Sequence, residues 1–192
     1  MKLILASQNK NKAKEIEVLL PKGFEVISLS ELNFNETIKE TENTFHGNAS
    51  LKAKAIHKIF QLNTFADDSG LEVESLNNEP GVFSARYAGE SATDIENLKL
   101  LLKNLEGIQN RKARFVSIIC LIFNDKEYFF EGEIKGNIIE KPRGNLGFGY
   151  DPIFIPESSD QTFAEMTLEE KNKFSHRAKA IEKMVDFLKS TL

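Results

Sequence analysis

The amino-acid sequence predicts an α/β fold with an extended mixed β-sheet and helices packed on it. An apolar run at Leu3–Ala6 predicts that the chain begins with a buried strand. A polar loop follows, and apolar residues at helical spacing between positions 13 and 20 predict a helix after it. Residues 114–123 and 127–135 are rich in β-branched and aromatic residues, and the Asn-Asp pair between them predicts a hairpin. Long paired strands after a strand–helix unit indicate a mixed sheet, not a fully parallel one.

Further helices are predicted from apolar stripes and capping residues. Residues 45–60 carry apolar side chains at spacings of four and three, after acidic and capping residues at 40–44. A Thr-x-x-Glu capping box at 93–96 precedes a leucine-rich helix, a second box at 167–170 starts a short helix, and Ser175 caps the last one.

Size and composition narrow the class of protein. The 192 residues, 41% of them hydrophobic, can bury a substantial core, and we expect residues 1–192 to form a single domain. The net charge of −4 argues against a large surface for nucleic acid. Cys120, the single cysteine, lies in an apolar run, which predicts a buried thiol and a reducing compartment. With no apolar run of membrane-spanning length and no signal-peptide core, we expect a cytoplasmic protein without a membrane partner.

The stretch from 65 to 89, FADDSGLEVESLNNEPGVFSARYAG, contains the clearest candidate site. We expect a strand that ends at Asp67, Asp68 and Ser69, followed by a turn at Gly70 into a second strand. Adjacent carboxylates repel and are costly to bury without a cation or hydrogen-bond donors, so the pair indicates a metal or a proton-transfer role. An exposed turn accounts for the four residues equally well. The long loop that follows, which contains Phe83 and Tyr87, favours the functional interpretation.

Two groups of lysines could face a phosphate-bearing ligand. The polar loop Ser7–Lys12 runs into the first helix, whose first turn has unpaired backbone N–H groups and the positive end of the helix dipole. Without a glycine-rich fingerprint, a solvated connection is the favoured alternative from these residues alone. On the helix predicted at 45–60, Lys52 is the lysine we most expect to point toward a site.

Two features of the C-terminal third could bind a base. Glycines flank Phe148 and Tyr150 in the loop 141–152, which lets the backbone approach a ligand while the rings stack on it or wall a pocket. An ordinary aromatic-anchored surface loop is an equally good interpretation. His176 and Arg177 oppose the dipole of the last helix, which favours a ligand-binding role, with a solvated surface pair as the alternative.

These segments, in this order, resemble the inosine triphosphate pyrophosphatase family. Its members hydrolyse non-standard purine nucleoside triphosphates (ITP, dITP and XTP) to the monophosphate and pyrophosphate, and so cleanse the nucleotide pool. The resemblance implies two lobes with a central active-site cleft, Mg²⁺ as cofactor and a homodimer. Five blocks spanning nearly the whole chain carry it: the Ser7–Lys12 loop, ETENTFHGNASLKA, ADDSGLEV with PGVFSARYAG, GNLGFGYDPIF, and FAEMTLEEKNKFSHRAKA.

The resemblance also implies roles for individual residues. Asp68 would be the general base and, together with Glu40, would hold Mg²⁺, with Asp67 as a further candidate ligand. The first loop would hold the triphosphate, and the C-terminal residues would recognise the base and sugar. The implied substrate-binding residues are Ser7, Gln8, Asn9, Lys10, Asn11, Lys12, Ser69, Phe148, Gly149, Tyr150, Asp151, Lys171, His176 and Arg177.

Three positions depart from the family pattern. Gln8 stands where a glycine is usual in the first loop, Glu42 replaces a common glycine, and Gly47 replaces a common glutamate. With Gln8 in place of glycine, backbone N–H groups are not expected to approach the phosphates as closely as in the family. The other two lead us to expect a different edge to the metal site.

Two other functions remain open from sequence. A non-catalytic nucleotide sensor with the same pocket would bind a triphosphate tightly without releasing pyrophosphate. A phosphatase or pyrophosphatase acting on modified pyrimidine nucleotides would use a related fold. Asp68 and the Ser175–Arg177 block favour the purine enzyme, because donors near His176 would pair with a 6-keto base and be left unpaired by the 6-amino group of adenine.

Overall fold

Seven β-strands form one mixed sheet in the computed structural model, which describes residues 1–191. Their order is β2-β1-β3-β5-β6-β7, and β4 pairs with β3. The β1–β2 and β1–β3 pairs are parallel, whereas β3–β4 and β6–β7 are antiparallel, so the predicted mixed sheet is confirmed. The strands are β1 (Lys2–Leu5), β2 (Glu25–Ser28), β3 (Thr64–Val73), β4 (Glu79–Pro80), β5 (Lys112–Phe123), β6 (Lys126–Ile138) and β7 (Phe154–Pro156).

The same 191 residues form five α-helices, each at its predicted place. Asn9 caps the first helix and Thr44 the second, and both predicted capping boxes are present. Such caps satisfy backbone N–H groups that have no partner within the helix. The helices are α1 (Lys10–Leu19), α2 (Phe45–Phe60), α3 (Asp94–Asn104), α4 (Leu168–Asn172) and α5 (His176–Thr191).

The acidic stretch folds differently from the prediction. Strand β3 continues without a break from Thr64 to Val73, so Gly70 does not turn the chain into a second strand. Asp67 and Asp68 therefore lie inside a strand, and both are buried. Asp-Asp-Ser-Gly has the composition of a turn, but cations from elsewhere in the chain compensate the buried carboxylates and permit the extended backbone.

The chain divides into two compact units, in agreement with the predicted pair of lobes. The first contains residues 1–68, 117–132 and those from Arg177 onward. Its core lies where α1 and α5 pack on β1, β3 and β5. Cys120 is fully buried in this unit, as predicted. The largest contributors to the core include Leu5, Ile16, Phe65, Leu121, Ile181 and Met184.

The second unit contains residues 69–116 and 133–176. It has its own core, in which α3 packs on parts of β3, β5 and β6 and on the aromatic residues Phe115, Phe154 and Phe163. The central cleft and the single-domain assignment of residues 1–192 stay predictions. No helix within residues 1–191 combines the length and the apolar character needed to span a bilayer.

Candidate active site

The first unit gathers charged side chains around the two aspartates of β3. They come from α1, the segment before α2, α2 itself, β3, β5 and the start of α5. Most are buried or nearly so, so burial and ion pairing together determine their charge states. We call this group the acidic corner: Lys12, Glu15, Glu40, Lys52, Asp67, Asp68, Ser117 and Arg177.

Asp67 is completely buried and is held from three directions. Its Oδ2 lies 3.0 Å from Lys12 Nζ and 3.3 Å from Arg177 Nη2, and Ser117 Oγ donates a hydrogen bond to Oδ1. Burial alone would raise the pKa of Asp67, but Arg177, Lys12 and Ser117 outweigh it and hold the pKa well below its usual range. Asp67 is therefore a permanently ionised anchor for two cations.

Arg177 joins Asp67 to a second carboxylate. Its Nη1 donates to Glu15 Oε2, and both side chains are buried. The sequence interpretation missed Glu15, although it lies four residues before Leu19, on the apolar stripe of α1. A charged residue on such a stripe signals a buried ion pair. Arg177 lies within the acidic corner, and its predicted role in base recognition stays a prediction.

Asp68 is bound through one oxygen only among the described residues. Lys52 Nζ lies 2.9 Å from Asp68 Oδ1, 2.6 Å from Glu40 Oε1 and 3.0 Å from the carbonyl oxygen of Asp67. Asp68 Oδ2 is buried and has no hydrogen-bond partner in residues 1–191. Burial raises the pKa of Asp68, even though Lys52 is close. The expectation that Lys52 points toward the site is confirmed.

Lys52 remains charged in this setting. Its burial lowers the pKa, but Asp68 and Glu40 outweigh burial and raise it above the ordinary value. Across the whole acidic corner, four carboxylates face three cations. The formal charges of these seven side chains therefore sum to −1.

The carboxylates of the acidic corner are suited to a divalent cation. Residues 1–191 contain no group of three or more His, Cys, Asp or Glu side chains that could hold a metal without other ligands. Mg²⁺ does not need one, because it is commonly held by one or two carboxylates and completes its shell with waters and phosphate oxygens. Glu40 and Asp68 fit such an ion, because Asp68 Oδ2 is a buried oxygen without a partner in the described residues and the formal charge of the acidic corner is negative.

The polar loop before α1 forms more internal hydrogen bonds than expected. Asn9 Oδ1 accepts hydrogen bonds from the backbone N–H groups of Asn11 and Lys12, and Asn9 N–H donates to Ser7 Oγ at 3.2 Å. Gln8 Nε2 donates to the carbonyl oxygen of Glu36. The prediction of unpaired N–H groups at this helix start is therefore wrong for Asn11 and Lys12. Binding of phosphate by the loop Ser7–Lys12 stays a prediction.

The second unit brings together the loop at 147–151 and Lys171 of α4. Asp151 Oδ2 accepts hydrogen bonds from Lys171 Nζ at 2.6 Å and from the backbone N–H of Phe148 at 3.0 Å. Both charged side chains are buried, and Lys171 Nζ lies 5.2 Å from the centre of the Phe148 ring. The structure thus joins Phe148, Asp151 and Lys171 into a cluster that we call the aromatic loop, and their role in binding base and sugar stays a prediction.

Two more contacts fix the aromatic loop. Gly149 N–H donates to Asp94 Oδ2 at the start of α3, over 2.8 Å, and Tyr150 Oη donates to the carbonyl oxygen of Ser84. Tyr150 is buried in the core of the unit, so its ring is less available to a ligand than the half-buried ring of Phe148. The sequence interpretation missed Asp94, because an acidic residue in the first turn of a helix is already explained by the helix dipole.

His176 and Ser69 are the other predicted site residues of the second unit. His176 is buried, with its ring stacked on Phe115 at 4.9 Å. Ser69 follows Asp68 on β3 and is half-buried. The first unit thus holds Ser7–Lys12, Glu40, Asp68 and Arg177, and the second holds Ser69, Phe148–Asp151, Lys171 and His176.

The fold and these two groups define an α/β protein with a buried acidic site suited to a cation and a separate aromatic cluster with a buried lysine. The sequence model of the Ham1 family matches residues 3–187. The chain belongs to the Ham1 family. A dITP/XTP pyrophosphatase of Flavobacterium psychrophilum is 50% identical over 190 residues, which cover 99% of this chain and 100% of the relative.

Solved structures support the same assignment. The Ham1 protein of Staphylococcus aureus superimposes with a TM-score of 0.90 at 40% identity, covering 100% of both chains. A HAM1 protein from Coxiella burnetii gives the same TM-score and identity, covering 99% of both chains. The predicted family and fold class are therefore confirmed.

Proposed function

We propose that this protein hydrolyses the non-standard purine nucleoside triphosphates ITP, dITP and XTP to the monophosphate and pyrophosphate, and so removes them from the nucleotide pool. The observation that carries the proposal is the buried carboxylate of Asp68, which Lys52 fixes through Oδ1 while Oδ2 has no partner in the described chain. It occurs in a chain that is half identical, over its whole length, to a relative named for this activity.

Magnesium dependence is part of the proposal. Glu40 and Asp68 would hold Mg²⁺, because their oxygens and the excess negative charge suit a hard cation. When bound, Mg²⁺ supplies positive charge for the triphosphate oxygens and for the leaving pyrophosphate.

The chain's own residues then perform the hydrolysis. Asp68 orients a water molecule toward the α-phosphorus and takes a proton from it as the water oxygen bonds to that phosphorus. The bond from the α-phosphorus to the bridging oxygen breaks, and pyrophosphate leaves with that oxygen. Lys52 keeps the carboxylate of Asp68 in one orientation, since it binds Oδ1 and is itself held by Glu40. Lys12 and the polar groups of Ser7–Asn11 bind the triphosphate. Lys12 is already placed at the acidic corner by Asp67.

Recognition of the base is proposed for the aromatic loop and its neighbours. Hypoxanthine and xanthine carry a 6-keto acceptor where adenine carries an amino donor, so buried hydrogen-bond donors favour the first two. Lys171, a buried donor beside Phe148, supports this role. The residues proposed to contact base and sugar are Ser69, Phe148, Gly149, Tyr150, Asp151, Lys171, His176 and Arg177.

The proposal extends to assembly and location. A homodimer follows from the family resemblance, and light scattering should return twice the mass of one chain. A cytoplasmic location agrees with the single buried cysteine, since no disulfide stabilises the chain.

The test is pyrophosphate release from ITP, dITP, XTP, ATP and GTP, with and without Mg²⁺. We expect kcat/KM to be higher for the first three substrates and activity to disappear when Mg²⁺ is chelated. Equal kcat/KM values for all five would defeat the proposed specificity. Tight binding of ITP without release of pyrophosphate would instead identify a nucleotide sensor.

A further inference from the structure

Gly47 lies in the first turn of α2, where the side chain of Glu42 already fills the space beside it. A Cβ atom at position 47 would lie 2.7 Å from Glu42 Cβ, 2.9 Å from Glu42 Cγ and 3.1 Å from Thr44 Oγ1. The first two separations are closer than real Cβ atoms approach. A side chain at position 47 and the present placement of Glu42 therefore exclude each other.

Two hydrogen bonds hold Glu42 and Gly47 in this arrangement. The backbone N–H of Glu42 donates to Oδ1 of Asn48, a fully buried side chain, at 3.0 Å. The N–H of Gly47 donates to Oγ1 of Thr44, the cap of α2, also at 3.0 Å. Residues 42–48 thus form a closed turn, which we call the 42–48 turn, against the start of the helix.

Along the chain, the 42–48 turn connects Glu40 to α2, the helix that Glu40 contacts. Glu40 Oε1 accepts a hydrogen bond from Lys52 Nζ on α2, and the same ammonium binds Asp68. Only Thr41 lies between Glu40 and Glu42, so the chain spans at most about 7 Å between them. We therefore expect a displacement of Glu42 away from Gly47 to move the backbone of Glu40.

We propose that Glu42 and Gly47 act as a pair of positioning residues, which hold Glu40 beside Lys52 and Asp68. The inference rests on the proposed function, because it concerns the carboxylate assigned to Mg²⁺. It also gives one explanation for two departures from the family pattern. The glycine at 47 provides the room that the side chain at 42 occupies, so the two changes are a linked exchange.

A set of substitutions tests this pairing. Gly47→Ala should force Glu42 aside. Glu42→Ala combined with Gly47→Ala should behave like Gly47→Ala, because the clash between the two Cβ atoms remains. Glu42→Gly combined with Gly47→Ala should recover, because both close contacts are gone. His46→Ala is the matched control, an exposed position in the same helical turn.

Two measurements report on Glu40. The first is the Mg²⁺ concentration for half-maximal pyrophosphate release from ITP, with kcat and KM determined separately. The second is the rise in Tm produced by MgCl₂ with the non-hydrolysable analogue α,β-methylene-ITP, which needs no turnover. We expect Gly47→Ala to raise the half-maximal Mg²⁺ concentration at least about fivefold, a loss near 1 kcal/mol at 25 °C, and to reduce the Tm rise. The Glu42→Gly/Gly47→Ala variant and the His46→Ala control should stay within about twofold of wild type.

The outcomes separate this inference from the proposed function. A wild-type protein whose activity and Tm ignore Mg²⁺ would refute the metal role and the inference with it. Where the wild type depends on Mg²⁺, a normal Mg²⁺ response in Gly47→Ala overturns the inference alone. So does a Glu42→Gly/Gly47→Ala variant that stays as impaired as Gly47→Ala.

Discussion

Asp67 and Asp68 are consecutive residues of β3, and their pKa values are shifted in opposite directions. Burial would raise the pKa of Asp67, but Arg177 and Lys12 outweigh it and lower the pKa well below its usual range. Burial is also the largest influence on Asp68, and its pKa is raised although Lys52 binds it. One carboxylate therefore stabilises the folded, ligand-free protein by being ionised, whereas ionisation of the other opposes folding.

The first prediction concerns Asp68. Asp68→Asn should fold normally and lose about 10²- to 10⁴-fold in kcat, the usual contribution of a general base. Its Tm at neutral pH should equal or exceed that of the wild type. A raised folded-state pKa means that ionisation costs stability as the pH rises, and asparagine removes this charge while keeping an acceptor for Lys52. Pyrophosphate release and thermal unfolding measure both effects, and a wild-type rate would remove Asp68 from the mechanism.

The second prediction is that the same substitution at Asp67 lowers the Tm. Asp67→Asn leaves Lys12 and Arg177 with less countercharge, and breaking a buried pair costs about 3–5 kcal/mol. At about 2–4 °C per kcal/mol for a chain of this size, Tm should fall by roughly 6–20 °C.

The difference in Tm between the wild type and Asp67→Asn should become smaller at low pH. A lowered folded-state pKa gives stability that is present above the unfolded value, near 3.9, and is lost as the pH falls through the folded-state value. The gap in Tm between wild type and Asp67→Asn should therefore narrow below about pH 4. Equal Tm values for the two proteins at pH 7 would contradict the assigned role of Asp67.

Elements with strong local signals were predictable from the sequence. The apolar stripe at 45–60 with Thr44 before it gave α2, and the two-residue Asn124-Asp125 connection gave the β5–β6 hairpin, where both residues have positive φ. In these cases the local preference and the final packing agree. Lys52 was predictable too, since a lysine on the buried side of an amphipathic helix must face polar partners.

The remaining features depend on contacts between distant segments. Asp-Asp-Ser-Gly has turn preferences, and only cations from α1, α2 and α5 make a continuous strand favourable there. Glu15 is explained by Arg177, which lies 162 positions away in the chain. Sequence spacing does not specify such pairs. Motifs can therefore single out candidate residues such as Asp68, but the partners of these residues cannot be read from the sequence.

The third prediction tests the cation site through Lys52. Lys52→Met removes the ammonium between Glu40 and Asp68, so the two carboxylates lose their shared partner and repel each other. Tm should fall in the absence of divalent ions, and MgCl₂ should raise it more than in the wild type, because the cation replaces the lost charge. Lys54→Met, an exposed lysine of the same helix, is the matched control. If MgCl₂ shifts Tm equally in all three proteins, Glu40 and Asp68 do not hold the ion.

The fourth prediction concerns the shape of the aromatic loop. Gly147 has φ +72°, and a Cβ atom there would lie 2.1 Å from Asp151 Oδ2, the oxygen that binds Lys171 and Phe148 N–H. Gly147→Ala should therefore raise KM for ITP by about tenfold or more, since small displacements of binding groups can cost up to 10²-fold.

Gly107→Ala separates this clash from backbone strain. Gly107 has a similar φ of +74° with no atom within 4 Å of the added Cβ, so both alanines carry about 1–2 kcal/mol of left-handed strain. We expect similar losses in Tm from that strain, with a further loss in Gly147→Ala, and a normal KM only in Gly107→Ala. Normal KM values in both variants would show that the Asp151 contact does not shape the substrate site.

The fifth prediction assigns a supporting role to Asp94. Its Oδ2 accepts the backbone N–H of Gly149 at 2.8 Å and so ties the aromatic loop to the first turn of α3. Asp94→Ala removes this hydrogen bond, whose net contribution is about 1 kcal/mol, and should raise KM for ITP about fivefold with kcat nearly unchanged. Asp94→Asn keeps an acceptor oxygen and should remain close to wild type. Both variants lose a favourable charge at the helix start, so a small fall in Tm is expected in each. A KM that rises equally in both variants would indicate that the charge of Asp94, and not its hydrogen bond to Gly149, matters for substrate binding.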